Sequence, residues 1–412
     1  MELSQWLVKL GFKVTFVNSD FNHKRVVNAL SAKDDIGGQI RLVSIPDGLE
    51  AWEDRNDLGK LTKAILRVMP GKLEELIEEI NGSDDEITCV IADGNLGWAM
   101  GVAEKMGIKR AAFWPAAAAL LSLIFSVRKL VDDGILTNEG IPVKNQMIKL
   151  SETMPAMNTA HFAWTCIGDL NTQKFLFDLI RRNNKDILPA EWLVCNSIYD
   201  LEPAAFNLAP EMLPIGPLLA SNRLGKSIGN FWPEDSTCLR WLDNQTACSV
   251  IYVAFGSFTV FDETQFQELA LGLELTNRPF LWVVRPDITT GKHEGYPEGF
   301  QERVGTRGLM VGWAPQQKVS AMGFLSCAGL TFADQFLNQG YICDVWKVGL
   351  GFNRDERGII QQGEIKNKVN QLLLDEKIKA RAMVLKEMAM NSVTEGGNSH
   401  KNFKNFIEWI KS

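Results

Sequence analysis

The chain has 412 residues, 46% of them hydrophobic, and a formal net charge of −7. That length exceeds what one hydrophobic core usually organises, so two domains are expected. No basic stripe accompanies the acidic balance, which excludes a nucleic-acid surface and points to a small-molecule partner. Seven scattered cysteines (Cys89, Cys166, Cys195, Cys238, Cys248, Cys327, Cys343), with no CxxC pair, exclude a disulfide framework and predict a reducing, cytoplasmic setting.

Met1 to Leu7 carries apolar residues at helical spacing and an acidic second residue, so it reads as helix interior and not as a signal peptide. Short β-branched runs at 13–18, 39–45 and 87–92 predict strands, and the amphipathic stretches 58–80 and 96–106 predict helices between and after them. This is βαβ punctuation. The runs 89–92 and 250–255 are continuously apolar, as parallel strands covered on both faces must be. The longest apolar run, 111–127, contains Pro115 and Ser122 and stops at Arg128, short of the roughly 20 residues that span a bilayer. It is expected to be a buried helix, and no transmembrane segment is predicted.

Pro214-Ile215-Gly216-Pro217 and the polar, aperiodic stretch 221–230 mark an interdomain linker. Beyond it, a short helix at 235–242, a strand at 249–255, a helix at 262–275 and a strand at 279–284 begin a second doubly wound unit. Near the end, Phe403, Phe406, Ile407 and Ile410 fall three and four apart, an apolar stripe that must dock on something. The domain reading is 1–216 for the first unit, 217–234 for the linker, 235–392 for the second unit and 393–412 for the terminal helix.

Four places carry chemistry. Trp313-Ala314-Pro315-Gln316 follows the apolar strand 309–312, so the indole emerges at the carboxyl end of a strand, where open α/β sheets bind ligands. A flat base can stack on it and Gln316 can bond the base's polar edge, although an isolated tryptophan in that position is often simply buried. Gly256-Ser257 ends one strand and Asp262-Glu263 begins the next helix; such a turn offers backbone N–H groups to an anion, or is an ordinary turn. Asp93 follows the strand 87–92, at a carboxyl end where open α/β sheets bind ligands, or as a helix cap. Gly94, Gly97 and Gly101 do not form GxGxxG, which weighs against a dinucleotide fingerprint. Asp334-Gln335 sets a carboxylate acceptor beside an amide that donates and accepts, a dipeptide that alone reads as solvated surface. His23, His161, His293 and His400 suggest no catalytic context, and His23 reads as a solvated residue.

The segment from Trp313-Ala314-Pro315-Gln316 to Asp334-Gln335, followed by the run 336–352 (FLNQGYICDVWKVGLGF), resembles the signature box of the plant UDP-dependent secondary-product glycosyltransferases, family 1, and its 83A-like subgroup. Phe113 to Ala118 (FWPAAA), Phe280 to Arg285 (FLWVVR) and Glu395 to Ser399 (EGGNS) extend the resemblance along nearly the whole chain. It implies an α/β fold of GT-B type, two Rossmann-like doubly wound domains facing across a cleft, with the terminal helix packing back on the first. By resemblance, Trp313, Ala314 and Gln316 hold uracil, Ser257 touches the diphosphate, Asp334 and Gln335 hold glucose, and Asp93 orients a catalytic histidine. Phe113 and Trp114, with the stretch 113–125, line an acceptor pocket, core packing being the competing reading.

The implied reaction is an inverting transfer from UDP-glucose to a hydroxyl of a phenolic, flavonoid or terpenoid acceptor, without metal or other cofactor, by a monomer. Two departures stand out. From 313 to 335 the chain has 23 residues, whereas the family's box is about twice as long, and the catalytic histidine's strand, which would precede Met1, is absent from the sequence. Both domains are therefore expected to be incomplete, the second through an internal deletion between about 319 and 332. Impaired turnover follows; a non-catalytic small-molecule binder and a truncated gene-model product are the alternatives.

Overall fold

Several helix starts in this chain are set by side chains that satisfy the otherwise unpaired first N–H groups. Ser19, Asp57, Asp169 and Asp262 accept from the backbone N–H of Asn22, Lys60, Thr172 and Gln265 at 3.3, 2.9, 2.8 and 2.8 Å. They open the helices Asp20–Ala29, Leu58–Asn81, Leu170–Ile187 and Glu263–Leu275. The computed structural model describes residues 1–30, 38, 40–83, 85–219, 229–246, 249–257, 259–289, 295–320, 326–328 and 334–412. Half of the expected linker (220–228 of 217–234) and most of the expected deletion point (321–325 and 329–332) lie outside the described residues.

In the first half, β1 (Val14–Ser19) pairs in parallel with β2 (Ile40–Ile45), Val14 opposite Ile40. A separate parallel sheet runs β3 (Cys89–Asp93), β4 (Lys109–Trp114), β7 (Trp192–Cys195), β8 (Met212–Pro214). Between them in sequence, β5 (Met147–Ile148) and β6 (Met157–Asn158) make a small antiparallel pair. The second half has a parallel sheet in which β10 (Phe280–Val283) lies between β9 (Ile251–Val253) and β11 (Gly308–Val311), and a parallel pair β12 (Ser326–Ala328) and β13 (Gly349–Gly351).

The expected strands appear within one or two residues of their predicted bounds. The helix predicted from residue 96 begins at Trp98, because Asp93 first caps a 3-10 turn over Gly94–Leu96. One expectation is corrected: the apolar run 111–127 is not a single helix. Its first residues belong to β4, and the helix Ala118–Phe125 starts beyond Pro115. Proline disfavours helical backbone in the residue before it, and β4 has strand partners on both sides, β3 and β7.

The largest core joins Trp114, Leu121, Leu123, Phe162, Trp164 and Phe177 of the first half, and it also takes in Leu337 and Tyr341 from beyond Asp334. Phe266, Phe280, Trp282 and Phe300 centre the second core. In a third, Phe406, Ile407 and Ile410 of the helix Asn398–Lys411 pack on Leu3, Leu7, Ala111 and Val194 of the first half. Asn402 Nδ2 donates to Pro214 O at 2.9 Å, and Lys109 Nζ donates to Trp409 O at 3.0 Å, fixing that helix in place. Among the described residues no helix is long and apolar enough to cross a membrane.

Candidate active site

Three strand ends build one corner of the site. Because β10 is central, its last residues lie between the carboxyl ends of β9 and β11. After β9, Gly256 takes φ 70°, a backbone region that glycine enters freely, and turns the chain into Ser257. After β11 come Trp313, half-buried, and Ala314, buried; Gln316 is exposed as the first residue of the helix Gln316–Ser320. Trp313 O accepts from Asp235 N at 2.8 Å.

The indole of Trp313 stacks on Trp232, centroids 5.2 Å apart and planes 27° apart. The guanidiniums of Arg25 and Arg285 lie 4.7 and 5.4 Å from the Trp232 ring. One face of the expected base platform is thus covered by the chain itself. Sequence reading passed over Trp232; the Phe231-Trp232 pair just after a polar linker was the available signal.

A second corner forms between the halves. Asp334 precedes the helix Gln335–Gly340 and accepts from Asn338 Nδ2 at 3.0 Å. Asp334 lines a cavity of about 660 Å³ together with Phe336 and Asp344 from its own half and Leu120, Leu123 and Met157 from the first. His161, for which no role was expected, also lines this cavity and stacks on Phe336 with centroids 4.1 Å apart.

Neither Trp313 nor Ser257 lines that cavity. A smaller one of about 250 Å³, walled by Phe255, Asp262 and Gln265 on either side of the Ser257 turn, shares Phe352, Arg354 and Ile360 with it. The structure therefore sets Asp334 beside the first half and brings the Ser257 turn to a neighbouring cavity with a common wall. Trp313 stands apart from both.

The acceptor expectation named Phe113 and Trp114 of the stretch 113–125, with core packing as the competing reading. Trp114 is 2% exposed, its Nε1 donates to Ala117 O at 2.9 Å, and Phe113 packs in the cluster beneath the terminal helix. A strand with neighbours on both sides and packing on both faces has no side chain to spare. Within the stretch 113–125, the cavity wall is instead Leu120 and Leu123, one helical turn apart.

Asp93 sits at the end of β3 and accepts from Asn95 N at 2.9 Å and Asn95 Nδ2 at 3.0 Å. Burial raises its pKa above the usual carboxylate range; the Asn95 bonds and the α-amino group of Met1 oppose the rise without cancelling it. His23 lies on the helix Asp20–Ala29 with its buried Nδ1 unbonded, His400 lies on the terminal helix, and His293 is outside the described residues. Among the described residues no cluster of His, Cys, Asp and Glu could hold a metal ion.

No family model matches the chain. UDP-glycosyltransferase 83A1 of Arabidopsis thaliana is 44% identical over 444 aligned positions, covering 100% of this chain and 93% of that protein. Those positions exceed this chain's 412 residues by 32, so the relative carries that much sequence with no counterpart here. Linamarin synthase 1 of Manihot esculenta is 28% identical over 463 positions, 100% of this chain and 93% of that one. Among solved structures, Os79 of O. sativa in complex with UDP superposes with a TM-score of 0.78 at 21% identity, covering 99% of this chain and 96% of that one. Phytolacca americana UGT2 complexed with UDP-2fluoro-glucose and pterostilbene gives 0.77 at 23% identity, covering 99% and 94%. With two parallel Rossmann-like halves meeting at a cleft, and 44% identity sustained over the whole chain, this protein belongs to the plant UDP-glycosyltransferases and has their GT-B fold.

Proposed function

We propose that the chain descends from a glucosyltransferase that moves glucose from UDP-glucose to a hydroxyl of a small lipophilic acceptor, and that its own turnover is impaired. The observation that carries this reading is the cavity between the halves, lined by the acidic Asp334 together with the apolar Leu120, Leu123 and Met157. A polar sugar and a greasy acceptor need that pairing of walls.

In this reading Asp334 and Gln335 hold the sugar, Ser257 the diphosphate, and Trp313, Ala314 and Gln316 the base. Asp93 orients a histidine that takes the acceptor's proton as the oxygen attacks the anomeric carbon and UDP leaves. The domain division follows the sequence reading, and the protein acts as a cytoplasmic monomer.

Impairment is supported by the short interval between Trp313 and Asp334 and by the 32 aligned positions without counterpart. Phosphate contacts in such a stretch are charge-assisted bonds worth about 1.5–3 kcal/mol each. The carboxylate bonds of Asp93 go to Asn95 and to no histidine among the described residues. Lack of a base costs about 10²–10⁴-fold in rate. The separation of β1–β2 from the β3 sheet, and of β12–β13 from the β9 sheet, also supports incomplete domains.

The test is a chromatographic assay of UDP-glucose with a flavonol or similar phenol. Product should form at least a hundredfold more slowly than with a full-length relative assayed alongside, and equal turnover refutes impairment. Calorimetry separates the alternatives: acceptor binding without UDP binding supports a non-catalytic binder, whereas UDP binding supports a remnant enzyme.

A further inference from the structure

Arg285 is a charged residue exposed by only 2%, outside every role assigned so far. It stands two residues beyond the end of β10, whose neighbours are β9 and β11, and the intervening Val284 N still bonds Val311 O at 2.8 Å. Its hydrogen bonds among the described residues face the β9 side or its own turn. Nη1 donates to Gly256 O, Nη2 donates to Thr259 O at 2.7 Å, and Nε donates to Asp287 Oδ1 at 2.9 Å. The two carbonyls bracket Ser257.

A buried cation is costly unless its donors are matched, so the guanidinium fork holds both carbonyls in fixed directions. In a trans peptide the C=O of one residue and the N–H of the next point opposite ways. With Gly256 O drawn towards Arg285, the N–H of Ser257 is turned away from it; with Thr259 O likewise drawn, the N–H of Val260 is turned outward too. The left-handed φ of Gly256 lets this plane rotate without a side-chain clash.

We propose that Arg285 is a positioning residue for the donor site, presenting the outward N–H groups of the Ser257 turn to the diphosphate of a nucleoside diphosphate sugar. This rests on the reading of Ser257 as a diphosphate contact. The role separates from simple stability because uridine has the base and ribose of UDP but no diphosphate.

Calorimetry on the full chain compares UDP with uridine for the wild type, Arg285→Met and Arg285→Lys. The wild type binds UDP more tightly than uridine. Arg285→Met reduces that preference about ten- to a hundredfold, the span of one charge-assisted bond, and leaves uridine affinity within about twofold. Lysine keeps the charge but cannot span two carbonyls, so Arg285→Lys falls between the two.

An unchanged preference in Arg285→Met overturns the proposal, as does an equal fall for both ligands. If Arg285→Met does not fold, Arg285→Lys decides: a preference equal to the wild type's overturns it. A wild type that does not prefer UDP to uridine defeats the Ser257 reading itself, and the role of Arg285 falls with it.

Discussion

Burial at the end of β3 penalises the charged form of Asp93, so its pKa in the folded chain lies above that in the unfolded chain. The fold thus favours the neutral carboxyl: the favourable contribution is complete below the unfolded pKa, near pH 4, and is lost as pH rises through the folded value. A neutral amide at this position carries no such penalty. Asp93→Asn should therefore have a higher urea midpoint than the wild type at pH 7, and the difference should vanish near pH 3; a difference independent of pH would contradict this. The place of Asp93 was legible because an apolar strand ends there. His161 was not, because what defines it is Phe336, a ring 175 residues further along. Trp313 shows both outcomes at once: its strand-end position was legible, its stack on Trp232 was not, since nothing periodic links the two positions.

Among the secondary elements, the helix Asn398–Lys411 was the plainest in the sequence, because its docking face repeats at three and four residues. Phe406 is fully buried on that face and touches the ring systems of Trp192 and Trp409. Phe406→Ala leaves a cavity that so packed a seam cannot close, and should cost about 3–5 kcal/mol by urea denaturation. The run 111–127 was misleading for the opposite reason. A continuously apolar stretch has no period to distinguish strand from helix, and Pro115 alone marked the boundary between β4 and the helix Ala118–Phe125. Alternating strands and helices revealed that the sheets would be parallel, but their division into separate sheets depends on pairing between distant segments.

Across the whole molecule, resemblance to the family's motifs disclosed the family and the two-lobed fold, whereas the manner in which the lobes meet was hidden. Leu337 and Tyr341 are inserted into the core of the first half, and Trp346 Nε1 donates to Leu201 O at 2.9 Å. At this seam Gly340 approaches Pro155 so closely that an added Cβ would stand 2.6 Å from Pro155 Cβ. Gly340→Ala should strain the seam by about 1–3 kcal/mol. Thermal denaturation should show a lower melting temperature for that variant, and an unchanged melting temperature would count against a tight seam. The inserted pair also bears on binding. Separating the lobes would return Leu337 and Tyr341 to water at about 1.5–3 kcal/mol each. A gaping conformer would then be populated to only about one part in a hundred to one in ten thousand. Any molecule too large to slip through the mouth of the cavity must wait for that rare excursion, so its apparent affinity is weakened by the same fraction.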